Sequence, residues 1–210
     1  MQLDQRNGNT KWQKAVDTEY ELVVIEYEAF IDKGKFSIEK IPDGYKLIKV
    51  HMVFDVKPDG RHRGRLVADG HLTDIPLESV YSGVVSLKGL RACIFLGELN
   101  GMEAWGTDIS SAYLCAKTSE KVCIRAGPEF GPLAGHLLII DKALYGLKSS
   151  GRQFNHQLQD VLATLGFKQS RAEDSIFIRK SPFKDCYEYI ATYVDDLCFV
   201  VVDPEAFMKF

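Results

Sequence analysis

The sequence lacks the marks of several protein classes. No apolar run is long enough to span a bilayer, since Phe199–Val202 is cut off at Asp203 and Pro204. The opening MQLDQRNGNTKWQK has no apolar leader core, so the expectation is an intracellular chain without a signal peptide and without a membrane partner. The five cysteines, Cys93, Cys115, Cys123, Cys186 and Cys198, form no Cys-x-x-Cys pair and leave an odd one over. That pattern excludes a disulfide frame or a zinc knuckle and points to reduced thiols. Neither sign of charge dominates: 26 basic residues face 29 acidic ones, a net of −3. A free-standing, non-specific nucleic-acid binder carries an overall basic footprint, and this chain has none. Internal repeats, low-complexity tracts and Pro/Gly/Ser-rich linkers are also missing. The 210 residues, 46% apolar, suffice for one sizeable core or two small lobes.

What is present is local. Lys46, Lys49, Lys57, Arg61, Arg63 and Arg65, with His51 and His62, are opposed only by Asp55 and Asp59. Two readings stand: a solvated hairpin, or a basic finger facing phosphate. GYKLIKVHMVFDVKPDGRHRGRLVADG alternates around Pro58-Asp59-Gly60, which predicts antiparallel strands over Lys46–Lys57 and Arg61–Asp69. Lys11–Val24 carries helical spacing, and Gly151–Leu165 a second amphipathic helix closed by Gly166. Val84–Leu99 is apolar on more than one face and reads as a buried helix. MEAWGTDI, KVCIRA, HLLIIDKAL and SIFIRK read as short strands, and PEAFMKF as the start of a helix. The class predicted is α+β: an antiparallel sheet with helices packed on one face, preceded by the basic hairpin.

Asp195 and Asp196 stand in the apolar stretch YEYIATYVDDLCFVVV. Two carboxylates about 4 Å apart repel by roughly 4 kcal/mol at an effective dielectric near 20. Aspartate is also a common turn residue, so a solvated turn is one explanation. The tightest hairpin turns favour Gly or Asn at positive φ, however, and neither is present. A third carboxylate, Asp108, ends the strand in WGTDISSAY. If the two strands are neighbours, three carboxylates converge at one sheet edge, a donor set for hard divalent cations. GLKSSG lacks the spacing of a phosphate-binding P-loop, and the five histidines lack metal-ligand spacing.

Six boxes, in order, resemble the copia-type retrotransposon reverse transcriptases: RLVADGHL (65–72), TDISSAYL (107–114), VCIRAGPEFG (122–131), KALYGLKSSGRQFN (142–155), LGFKQSRAEDSIF (165–177) and YVDDL (193–197). The resemblance runs from about Trp12 to the C-terminus. It implies a right-hand polymerase fold, with a fingers hairpin over about 44–72 and palm over about 73–210. The thumb is expected to be absent, the chain being C-terminally truncated. The reaction implied is attack of a primer 3′-hydroxyl on the α-phosphate of a deoxynucleoside triphosphate, directed by an RNA or DNA template. Two Mg²⁺ ions, or Mn²⁺, are the implied cofactors.

By the same resemblance Asp108 and Asp195 would hold the two metals, with the Ile109 carbonyl as a further ligand and Asp196 as the third acidic residue. Arg63 and Arg65 would grip the triphosphate, a task suited to the bidentate guanidinium. Ser111 and Ala112 would run beneath triphosphate and sugar, with Tyr113 as the floor that excludes a 2′-hydroxyl. Gly146, Leu147 and Lys148 would lie along the templating base, Tyr193 and Val194 at the primer end. The remaining parts of a Gag-Pol-type polyprotein, RNase H and integrase, are implied partners missing from this chain. A cytoplasmic particle or the nucleus is the implied place of work. The family often has lysine where Arg63 stands and a Trp where Phe154 stands. Two other readings remain open: a decayed or repurposed element that binds nucleic acid or a partner without catalysis, and an unrelated metal-dependent nuclease.

Overall fold

The predicted strands and helices form, joined by elements the hydrophobic spacing does not announce. The computed structural model describes residues 2–73 and 82–209. In chain order its helices are α1 (Gln2–Asn7), α2 (Lys11–Tyr20), α3 (Leu87–Leu99), α4 (Ser150–Thr164) and α5 (Pro204–Phe207). The strands are β1 (Phe30–Lys35), β2 (Lys46–Ile48), β3 (Val50–Val56), β4 (His62–Ala68), β5 (Glu103–Asp108), β6 (Val122–Arg125), β7 (His136–Ile140), β8 (Lys168–Gln169), β9 (Ile176–Lys180), β10 (Tyr187–Tyr193) and β11 (Asp196–Val201). The chain divides into two interleaved units, Met1–Val80 with Tyr113–Phe154, and Tyr81–Ala112 with Asn155–Phe210. The α+β class holds in both. Among the described residues no helix is long and apolar enough to cross a membrane.

The first unit contains a four-stranded sheet in the order β1-β7-β6-β2 and the β3–β4 hairpin. The strand expected over Lys46–Lys57 is split at Lys49. Its first part pairs parallel with β6, its second antiparallel with β4. The physical cause is the Asp69 N–H, which takes the Lys49 carbonyl at 2.9 Å and turns the chain from one sheet to the other. Helix α2 packs on β4 where Gly64 leaves room: a Cβ there would meet the Met52 side chain at 2.7 Å and the Ala15 carbonyl at 3.2 Å. Its free N-terminal amides are served by Asp4 of α1, whose carboxylate accepts from Trp12 N–H at 3.0 Å and Gln13 N–H at 2.8 Å. Burial alone would raise the Asp4 carboxyl, but the two amides outweigh it and hold it below its ordinary value. Beyond Tyr20 the helix widens into a π-helical stretch, Glu21–Glu26, closed by Tyr27 N–H on the Leu22 carbonyl. The core gathers Val23, Ile48, Leu66, Leu114, Ile124, Phe130, Leu138, Ile140, Leu144 and Leu147.

The second unit is a five-stranded antiparallel sheet, β5-β11-β10-β9-β8. Helix α3 lies on one face, pressed onto Val200 at Gly97, where a Cβ would come within 2.2 Å of the valine methyl. The other face carries Phe199 against Phe207 of α5 at 5.0 Å and Phe207 against Phe167 at 6.1 Å. The short α5 thus reaches the face opposite α3, because Phe199 and Val200 are neighbours on a strand and point to opposite sides. Helix α3 is not the buried helix that its composition suggested. Only Cys93 and Gly97 are buried, while Leu87, Ile94, Phe95, Leu96 and Leu99 are exposed. Small residues at helical spacing, Gly89, Cys93 and Gly97, make its seat narrow. Its N-terminus is fixed by Glu173, whose carboxylate accepts from the Ser86 amide and hydroxyl, while the Ser86 hydroxyl oxygen accepts from Gly89 N–H.

Candidate active site

The acidic site belongs to the second unit. Strands β10 and β11 are joined by a two-residue turn, Val194-Asp195, flanked by the Tyr193–Asp196 pair. Without Gly or Asn the turn forms nonetheless, because Val194 takes φ +56°. Positive φ at the first central residue alone is the pattern of a type II′ turn. In a β-branched residue it stores strain on the order of 1–3 kcal/mol, a cost that such sites carry when geometry matters more than local ease.

Strand β11 then pairs with β5 so that Asp196 stands directly opposite Asp108. Ile109 N–H donates to the Asp195 carbonyl at 2.9 Å, which makes the Asp108–Asp196 rung one of the non-hydrogen-bonded kind. In such rungs the Cα atoms are about 4.5 Å apart and the side chains are closest. Both carboxylates therefore leave the same face. They line an open cleft of about 380 Å³ with Gly106, Thr107, Ala191, Tyr193, Leu197 and Cys198 of the sheet and Val85 and Leu90 at the start of α3. Asp195 sits at the second turn position, half-buried, and is not in that lining. Among the described residues no hydrogen bond or ion pair engages the carboxylates of Asp108, Asp195 or Asp196, and no group of three metal-ligating side chains is drawn together. The structure thus brings Asp108 and Asp196 together and sets Asp195 beside them in the turn. Ile109 is half-buried, Ser111 has φ +54° and Ala112 is buried. Tyr193 is exposed at the cleft. Cys198, a lining residue the sequence reading passed over, has its thiol pushed up by burial.

The remaining predicted residues lie in the first unit. Arg63 and Arg65 are two apart on β4 and share a face. The Arg65 guanidinium lies over the Tyr145 ring at 5.5 Å, and Tyr113 meets Tyr145 at 4.8 Å and Phe154 at 6.3 Å. Tyr145 is the residue that joins them and was missed by sequence reasoning; its place beside Gly146 in KALYGL was the available signal. The Arg65 Nε is buried without a hydrogen-bond partner among the described residues. Nearby, Glu19 accepts from Leu66 N–H at 2.8 Å. Burial raises the Glu19 carboxyl, against the pull of that amide, Arg63 and Arg65. Gly146 has φ +91°, and a Cβ there would come within 2.0 Å of the Ala68 carbonyl. Its missing side chain admits the backbone of β4. Leu147 is buried in the core, and Lys148 donates to the Thr73 carbonyl at 2.6 Å.

A strained turn thus lies beside two opposed carboxylates that have no partner among the described residues. Residues 33–210 match the family described as reverse transcriptase (RNA-dependent DNA polymerase), and the chain belongs to that family. It is similar to the retrovirus-related Pol polyprotein from transposon TNT 1-94 of Nicotiana tabacum, at 24% identity over 85% of this chain and 14% of that protein. It is also similar to the Ty1-BL Gag-Pol polyprotein of Saccharomyces cerevisiae, at 30% identity over 79% of this chain and 9% of that protein. The chain thus spans a small fraction of these relatives. Among solved structures it is similar to a foamy viral protease-reverse transcriptase in complex with double-stranded DNA, with TM-score 0.49, 15% identity, 96% of this chain and 28% of that one covered.

Proposed function

We propose that this chain carries the polymerising site of a retrotransposon reverse transcriptase: RNA-directed transfer of a nucleotide from a deoxynucleoside triphosphate to a primer 3′-hydroxyl. The observation that carries the reading is the Asp196–Asp108 rung, two facing carboxylates in an open cleft with no partner among the described residues. Oxygen donors of this kind fit Mg²⁺, which takes one or two carboxylates and completes its shell with water and substrate phosphates. The donor set therefore fits two divalent cations held by Asp108, Asp196 and Asp195. When bound, such ions lower the pKa of the attacking hydroxyl and neutralise charge on the triphosphate.

The rest belongs to the chain's own residues. Asp108 and Asp196 are held by opposite strands, so their spacing is set by the sheet rather than by side-chain rotamers. The Val194 turn and the Ile109–Asp195 bond fix where Asp195 stands. Tyr193, exposed at the cleft, is assigned to the primer end together with Val194. Ile109, Ser111 and Ala112 are assigned to the triphosphate and sugar, as are Arg63, Arg65 and Tyr113 of the first unit. The unpartnered Nε of Arg65 supports its share, since a buried donor without an acceptor costs about 1–3 kcal/mol until an anion supplies one. Gly146, Leu147 and Lys148 are assigned a template role through the backbone they hold in place. Template, primer and the other segments of a Gag-Pol polyprotein are the proposed partners.

The test is primer extension on a poly(rA)–oligo(dT) substrate with Mg²⁺ or Mn²⁺, comparing the chain with Asp196→Asn, Asp195→Asn and Asp108→Asn. Extension that needs deoxynucleotide and vanishes in the variants supports the reading. Cleavage of the substrate without deoxynucleotide overturns it in favour of a nuclease. Extension that survives Asp108→Asn and Asp196→Asn removes the carboxylate rung from the mechanism.

A further inference from the structure

The outer face of α3 is unusual for a surface helix. Directly opposite its seat at Cys93 and Gly97 stands Phe95, 62% exposed, beside Leu99 at 65%, with Leu96 at 37% a quarter turn to one side and Leu87 at 60% and Ile94 at 43% a quarter turn to the other. Scattered exposed leucines are ordinary, but this many large apolar side chains exposed on one short helix mark a surface that is covered in use. The helix is rigidly presented, with Glu173 at its N-terminus and Val200 against Gly97. Such a face is pre-organised for docking.

The charges on the stripe point to the occupant. Arg91 stands one turn before Phe95 and Glu98 about one turn after it, on the same outward face. Two copies of this helix packed antiparallel, with the Phe95 rings near a two-fold axis, bring Arg91 of each against Glu98 of the other. Parallel packing would set like against like. We infer that the outer face of α3 is a self-association surface, on which a second copy of this chain docks helix to helix in antiparallel, isologous fashion.

A helix of 13 residues is about 20 Å long. One face of a helix this short is a small footprint against the roughly 1,000 Å² of a specific interface, so the dimer is weak and concentration-dependent. Because Leu90 and Val85, at the start of α3, line the acidic cleft, pairing would also hold one wall of that cleft.

Sedimentation velocity on the full chain over a concentration series tests this directly. A reversible monomer–dimer equilibrium is expected, and Phe95→Glu shifts it to monomer without changing the melting temperature. Arg91→Glu alone and Glu98→Arg alone each weaken self-association about tenfold, because each makes both symmetric pairs like-charged. Mixed in equal amounts, the two variants recover dimer as a heterodimer, and the double variant recovers it alone. A monomer at every concentration overturns the inference. So does a dimer indifferent to Phe95→Glu, single variants that do not recover on mixing, or a monomer whose α3 binds lipid vesicles instead.

Discussion

The five-stranded sheet holds carboxylates on both faces and treats them in opposite ways. On one face Glu188 is wholly buried and wholly satisfied. It accepts from Arg179 Nε at 2.7 Å, Ser181 Oγ at 3.0 Å and the Val202 amide at 3.1 Å. The Arg179 guanidinium is in turn stacked over Phe167 at 4.5 Å and donates to the Leu165 carbonyl at 2.8 Å. On the other face Asp108 and Asp196 confront each other with no partner among the described residues. A chain that can surround one carboxylate so completely has the means to neutralise a second. On the proposed function, the bare carboxylates of the cleft face are kept for a cation, while the ion pair on the far face closes the architecture.

The largest test of that contrast is chemical. On the proposed function, Asp196→Asn or Asp108→Asn removes a cation-binding carboxylate, and primer extension falls by about 10³-fold or more. The same variants relieve repulsion, and melting is expected to be unchanged or raised. A strong loss of stability would break the comparison. Next comes Glu188→Ala, which strands Arg179 in the interior and costs about 3–5 kcal/mol in urea unfolding. Replacing both partners by apolar residues of similar volume recovers most of that loss. Smaller still is Val194→Gly, which relieves the positive φ and gains about 1 kcal/mol net of the entropy glycine adds to the unfolded chain. Its extension rate falls while stability rises, because the turn that positions Asp195 loosens.

The smallest effect is on Glu19, an intermediate case with one amide partner and partial burial. Its carboxyl is raised in the folded chain, so the folded state holds that proton more tightly than the unfolded one. Stability from this group is full below the unfolded carboxylate value and is lost as pH rises through the folded one. Glu19→Gln keeps an acceptor for Leu66 N–H and removes the titration. Its melting temperature should exceed that of the parent at neutral pH and converge with it in acid.

How much of this was readable in advance depends on how local each cause is. The aspartates at 195 and 196 stood out because charge in an apolar strand has few innocent explanations, and Asp108 was found because it ends a strand. The rung itself was not legible: the resemblance assigned metal roles to Asp108, Asp195 and Asp196, but that Asp196 stands opposite Asp108 comes from hydrogen-bond register. Register is a property of two strands, and no single segment displays it. The Glu188–Arg179 pair was missed for the same reason, its members facing each other across β10 and β9. Helix α3 was misjudged because composition reports how apolar a helix is but not how many of its sides find a neighbour. Gly146 was assigned to the templating base by resemblance alone. What approaches it in this structure is the carbonyl of Ala68, a contact between segments far apart in sequence.

The interleaving of the two units has a consequence for synthesis. The outermost strand of the four-stranded sheet, β1, pairs with β7 through Phe30 and Ile140, and residues of the other unit are made in between. At ribosomal speeds of about 5–20 residues per second, β1 waits roughly 5–20 s for its partner. During that interval Ile31 and its neighbours are an open strand edge on a nascent chain, the kind of edge that recruits chaperones or pairs wrongly. Neither unit can be released as a contiguous fragment. A frameshift or stop between residues 113 and 154 would therefore leave both halves of the molecule unfinished.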